Sequence, residues 1–173
     1  TDQKGIYTDG LDEFEPGNVY ENQTYTYRLR IKNPDNVKAD NIVLYDNLEA
    51  YVPASDKQDY GDVQWKGKLL DVDVSQLESK GINPVVYYSS KENLVLDNTD
   101  NRSNNDLSNK EIWTTEKPDK VTAVAIDARK MKDGSDFVLG SLESLTAILT
   151  MRAPDLKRDR YVKTDKEKSD WYD

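Results

Sequence analysis

Residues 24–32 place an apolar side chain at every second position. Tyr25, Tyr27, Leu29 and Ile31 alternate with Thr24, Thr26, Arg28, Arg30 and Lys32. A period of two marks a strand with one face on a core and the other in water. A helix would scatter the same residues around its axis. The period returns late in the chain at Leu145, Ala147, Leu149 and Met151. These two segments set the fold class.

Asn33-Pro34-Asp35-Asn36 is a strong turn after the first strand. A second strand is expected over about 40–46, with Ile42 and Leu44 on one face and Val43 and Tyr45 on the other. Asp62 to Leu70 reads as a short hairpin around Lys66-Gly67. Asp73 to Gly81 carries helix punctuation: Asp73 as cap, Val74 and Leu77 on one face, Gly81 as terminator. Pro84 to Ser89 returns to strand. Residues 97–110 are polar and read as a solvated loop. Val121 to Ile126 and Phe137-Val138-Leu139 are compact apolar runs that read as strands. Seven or eight short strands with turns between them, and one short helix, predict an all-β sandwich. Three parts are expected: residues 1–17 as an N-terminal arm or edge strand, 18–154 as the sandwich, and 155–173 as a charged C-terminal tail or last edge strand.

The sequence has 173 residues, with 33 acidic against 24 basic side chains and a formal charge of −9. It has no cysteine and no histidine. Disulfides, thiolate metal sites, cysteine nucleophiles and imidazole bases are therefore excluded. Acidity argues against nucleic acid as partner, since phosphate binding needs clustered Lys and Arg. The apolar runs are too short to span a bilayer, so no membrane insertion is expected. Acidic pairs such as Asp71 with Asp73, or Glu13 with Glu15, could serve glycoside hydrolysis. In so acidic a chain they are expected by chance, and no enzyme activity is expected.

The segments Tyr25 to Asn33 and Ala39 to Leu48 carry a pattern of Tyr-Thr, alternating apolar residues and Asn, then Ala-x-Asn, apolar residues and Asp-x-Leu. That pattern resembles immunoglobulin-like repeat domains of Gram-positive cell-wall-anchored proteins, of collagen-adhesin and pilin type. Pro84 to Ser89 and Met151-Arg152-Ala153-Pro154 are similar to later strands of such repeats. The resemblance covers roughly 20–154. It implies that the sandwich is an immunoglobulin-like β-sandwich. It also implies a stalk or adhesive module on the bacterial surface, extracellular and wall-anchored, with neighbouring domains of the same protein as partners. A host matrix protein or a glycan would be the partner of an adhesive form. Some members of the family join a first-strand lysine to a last-strand asparagine through an isopeptide bond. The lysine amine attacks the side-chain amide, ammonia leaves, and a buried carboxyl shuttles the proton. Asp46 matches the promoting acid, and Lys4 is the candidate amine. No Asn follows Asn109, so the asparagine partner has no match here. Asp46 shares parity with Ile42 and Leu44, which makes it either a buried acid or a carboxylate capping the turn at Asn47-Leu48.

Two further sets of candidates stand apart from the resemblance. Asp97, Asp100, Asn101 and Asp106 concentrate oxygen donors in the polar loop, and calcium is the ion such donors take. The spacing does not match an EF-hand, and a solvated loop is the simpler reading. No other cofactor is expected. The chain also holds 11 Tyr and 3 Trp. Trp65 and Trp113 sit among polar residues and are the candidates for stacking on a ligand, although a lone Trp is more often a packing anchor.

Overall fold

The computed structural model describes residues 20–48, 67–92, 94–96 and 104–154. The arm over 1–17, the tail over 155–173 and the first part of the 62–70 hairpin lie outside the described residues, as do Lys4, Trp65, Asp97, Asp100 and Asn101.

Among the described residues the protein is mostly β. It contains two antiparallel sheets of three strands and one short helix. The strands are β1 (Thr24–Lys32), β2 (Val43–Asn47), β3 (Lys68–Asp73), β4 (Val85–Ser89), β5 (Ala123–Asp127) and β6 (Ser144–Arg152); helix α1 spans Ser75–Ser79. One sheet has the order β1-β6-β3 and the other β2-β5-β4. The two strands with the clearest alternation, β1 and β6, pair with each other from Thr24↔Arg152 to Lys32↔Ser144.

That register puts like faces together. Tyr25, Tyr27, Leu29 and Ile31 face the same side as Met151, Leu149, Ala147 and Leu145. Opposite them stand Leu44, Val124, Ile126, Val86 and Tyr88 of the second sheet, and both sets belong to one buried cluster. Slipping either strand by one residue would turn this set outward, which is why the register is well specified. In β3 the register shifts between Leu69 and Asp71. The extra residue lets Leu69 and Val72, three apart, both reach the core.

The second sheet is covered on both sides. Ala123, Val124, Ala125 and Ile126 of β5 are all fully buried. Val124 and Ile126 face the main core, while Ala123 and Ala125 belong to a second cluster with Leu94, Leu107, Ile112 and Trp113. The described part of the polar loop therefore differs from expectation. Leu107 of that loop, with Ile112 and Trp113 just beyond its end, packs on the outer face of β5 against Ala123 and Ala125.

The helix is present and ends as expected. Gly81 has φ +81°; its N–H bonds the Glu78 carbonyl, and the Ile82 N–H bonds the Leu77 carbonyl. This is a Schellman stop, with Leu77 and Ile82 buried together beside it. The cap differs from expectation. Val74 holds the N-cap position, and Asp73 accepts the Ser75 N–H (2.8 Å) one residue earlier. Phe137-Val138-Leu139 is not a strand. Leu139 forms an isolated bridge to Ala39 and Asp136 one to Lys130, so the segment crosses between two neighbours and pairs at length with neither.

The turn after β1 is built around Asn33, which is 7% exposed. Its amide nitrogen donates to the carbonyls of Val37 (2.7 Å), Gly140 (3.0 Å) and Leu139 (3.3 Å), and its amide oxygen accepts the Asp35 N–H. One buried side chain thus ties the β1–β2 turn to the segment leading into β6.

Candidate functional site

The strongest chemical feature lies where the two sheets meet. Asp46 is in β2 opposite Val124, on the face that Leu44 buries in the core. Its carboxylate accepts a hydrogen bond from the Tyr27 hydroxyl of β1, in the other sheet. Period two delivers both groups: Tyr27 shares the inward parity of β1, and Asp46 that of β2. Burial pushes the Asp46 carboxyl above the ordinary carboxylate range, and the Tyr27 hydrogen bond partly opposes the rise. Of the two sequence readings, the half-buried acid is the one observed; the turn residue Asn47 uses its own amide to bond the Leu94 carbonyl (2.8 Å). A carboxyl so placed can take up and return a proton between the sheets. The amine assigned to it by resemblance, Lys4, lies outside the described residues.

The second cluster has its own polar ties. The Tyr45 hydroxyl donates to the Asn105 carbonyl (2.6 Å) and the Trp113 indole N–H to the Asn104 carbonyl (2.8 Å). The two rings meet at 5.9 Å with a 58° tilt. Burial raises the Tyr45 hydroxyl. At the edge of this cluster Arg129 forks onto Asp127 through Nε (2.8 Å) and Nη2 (2.6 Å). Burial alone would raise Asp127, but the Arg129 contacts outweigh it and hold the carboxyl low.

Trp113 requires a correction. It is 1% exposed, so its ring offers no face to a ligand and anchors the loop instead. Asp106 is exposed, and its Oδ1 accepts both the N–H (2.9 Å) and the hydroxyl (2.7 Å) of Ser108. Those bonds lower its carboxyl and give it a role in a local turn. Among the described residues no group of three or more His, Cys, Asp or Glu side chains is placed to hold a metal ion. The other loop donors lie outside the described residues, and calcium binding there is untouched by these contacts.

Two residues with structural leverage were not singled out from the sequence. Tyr27 was readable as one more inward aromatic, but its pairing with an acid on the facing sheet needs the tertiary fold. Asn33 was readable as a turn residue, but the three carbonyls it gathers come from loops up to 107 residues away. Comparison of the chain with protein-family models, with curated proteins and with solved structures finds no match.

Proposed function

We propose that this chain is a non-enzymatic structural or adhesive repeat domain of a bacterial cell-surface protein, folded as an immunoglobulin-like β-sandwich and displayed on the cell wall. The observation that carries the reading is the Tyr27–Asp46 hydrogen bond. It joins the two segments that bear the family-like pattern, one in each sheet, through the residue that matches the family's promoting acid. An exported domain without cysteine must hold its sheets by core packing and by ties of this kind. In this reading Asp46 is the structural acid of the domain, and Lys4 remains its candidate partner. The neighbours are other domains of the same surface protein.

Antibody raised against the chain tests the placement. Intact cells of the organism that makes the protein should be labelled, and trypsin added outside should remove the label. Labelling that appears only after lysis would overturn the proposal.

A second reading, a module that binds a host protein or a glycan, draws support from the chain path. The Asn22 N–H bonds the Pro154 carbonyl (3.4 Å), and the Ala153 N–H bonds the Gln23 carbonyl (2.8 Å). The chain therefore enters and leaves the described body side by side. The opposite end, where β1 stops and β6 starts, is presented away from both connections.

A further inference from the structure

The outer strands of the two sheets have unlike edges. β1 and β3 flank β6, and β2 and β4 flank β5. On β4, the Tyr88 N–H bonds the Thr114 carbonyl (2.8 Å) and the Thr114 N–H bonds the Tyr88 carbonyl (3.0 Å). On β3, a bulge interrupts the ladder between Leu69 and Asp71, and the Lys117 ammonium donates to the Leu70 carbonyl (2.8 Å). β2 is five residues long. Short strands, bulges and covering segments close a sheet edge to further pairing. β1 is neither short nor bulged: it runs nine residues in an unbroken register.

The backbone of β1 is also aimed. At the two ends of its pair with β6, the Ala153 N–H bonds the Gln23 carbonyl (2.8 Å) and the Asn33 N–H bonds the Glu143 carbonyl (2.9 Å). The odd-numbered residues therefore bond β6. By the alternation of an antiparallel ladder, the N–H and C=O groups of Thr24, Thr26, Arg28 and Arg30 point to the side away from β6. The core side chains of β1 are covered less well than those of its neighbour. Leu29 and Ile31 are half-buried, while Leu145, Ala147 and Leu149 of β6 are fully buried.

The chain reverses just before β1. The Gln23 N–H bonds the Tyr20 carbonyl (3.1 Å), and the Tyr20 N–H bonds Oε1 of Gln23 (3.3 Å). Between them Asn22 takes φ +58°, a conformation that asparagine tolerates in turns. The reversal sends whatever precedes Tyr20 back along β1, and β6 already holds one side of that strand.

We infer that the other edge of β1 is the docking surface for the chain's own N-terminal arm, with residues 13–19 lying antiparallel along it as a fourth strand. The pairing that continues from Tyr20 beside Gln23 sets Glu15 opposite Arg28 and Glu13 opposite Arg30, on the outer face. Opposite charges directly across a ladder stabilise it. Phe14 then stands opposite Leu29 on the core face, where it covers that half-buried side chain. Pro16 falls opposite Tyr27, at a position whose missing N–H faces away from β1, the kind of edge position that accepts proline. A slip of one residue would set Phe14 or Pro16 beside Arg28 on the outer face, and would put Pro16 where the ladder needs an N–H. Charge, apolar cover and proline agree on one register. This inference goes beyond the proposed function and does not depend on where the domain is displayed. A pull on the N-terminus must detach this strand before it reaches the body at Asn22.

The sequence has no cysteine, so an introduced pair can report the register in the full chain. Glu15→Cys with Arg28→Cys sets two Cα atoms at the roughly 5.5 Å of a hydrogen-bonded pair, within the range a disulfide spans. Mild oxidation should close that bond within one chain. Phe14→Cys with Arg28→Cys, whose side chains leave opposite faces, should close about tenfold more slowly or not at all. Amide exchange gives a second readout. The Thr26, Arg28 and Arg30 amides should be protected in the full chain. Glu15→Pro, which takes an N–H out of the proposed ladder, should speed their exchange about tenfold or more. The Tyr27 and Leu29 amides, bonded to β6, should keep their protection in the same variant. Equal closure of the two cysteine pairs would overturn the inference, and so would a disulfide that joins two chains. Exchange at Thr26, Arg28 and Arg30 that ignores Glu15→Pro would overturn it too, since another segment or none would then hold this edge. Antibody labelling of intact cells reads the surface placement separately, so the two proposals fail independently.

Discussion

Asp46 stands between two opposing effects at the point where the sheets meet. Burial favours its neutral form, and the Tyr27 hydroxyl favours its charged form, with burial the larger. Its pKa is therefore higher in the folded chain than the roughly 3.9 of an unfolded aspartate. The folded state holds that proton more tightly. Between the two pKa values stability falls as pH rises, and above both the cost of the ionised carboxylate is constant. Asp46→Asn removes the ionisation and keeps an oxygen to accept from Tyr27. It is expected to exceed the parent in stability at pH 7, with the advantage shrinking as pH falls through the folded pKa toward the ordinary carboxylate range. The readout must be the difference between variant and parent, because Asp73, Asp106, Asp127 and Asp133 are all lowered by their hydrogen bonds and weaken the whole fold in acid. A pH-independent difference in denaturant midpoints would contradict this account of Asp46. Tyr27→Phe leaves the half-buried carboxylate without its phenolic donor and should cost about 1–2 kcal/mol. Made in the Asp46→Asn background it should cost less, and that coupling isolates the cross-sheet bond from the loss of the hydroxyl elsewhere.

The elements divide by how they earn their burial. β1 and β6 carry strict alternation, and each was legible to within a residue because a single buried face dictates the pattern. β2 is apolar on both faces, Leu44 toward the main core and Val43 and Tyr45 toward the second cluster, and it starts three residues later than expected. Gly81 marked the helix end because its positive φ needs a glycine there. The β3 bulge was not legible, since inserting one residue replaces the period of two by Leu69 and Val72 at a spacing of three. Phe137 to Leu139 looked like a strand because three apolar residues in a row do not reveal whether a partner lies beside them. The loop over 104–113 hid its role most completely. Leu107, Ile112 and Trp113 are isolated among polar residues and show no period, so only the surface that receives them explains them. The available hint was on that surface: Ala123 and Ala125 are small residues in a β-branched run, and small outward side chains on a strand leave room for a ring. Trp113→Ala should cost about 3–5 kcal/mol, in the range for deleting a fully buried aromatic. Amide exchange should separate this loss from general unfolding. Protection should fall first at Ile112, Trp113 and the outer face of β5, while β1 and β6 keep theirs; uniform loss across both sheets would mean that the loop and the main core are one cooperative unit.

At the scale of the whole molecule, the side-by-side path of the chain decides how it responds to load. A spacer in a surface protein is pulled through its two connections. With tethers at Asn22 and Ala153, force acts at the same end of the β1–β6 pair, across the strands. The hydrogen bonds between them then open one at a time from Thr24↔Arg152 toward Lys32↔Ser144. Tethers at Thr24 and Ser144 load the same pair along its length from opposite ends, and the whole ladder must yield together, since interstrand bonds lie perpendicular to the strands. The first geometry should open at clearly lower force than the second in single-molecule pulling, although the bonds broken are the same. Asp46→Asn, which leaves the β1–β6 ladder intact, should change the two forces little. Equal forces would show that resistance comes from the sheet-to-sheet core and not from the β1–β6 ladder. If unzipping is the weak mode, a module of this shape carries little tension through those two connections. That outcome would favour the binding-module form of the proposed function over a link in a taut stalk, because a link must carry load through the same two connections.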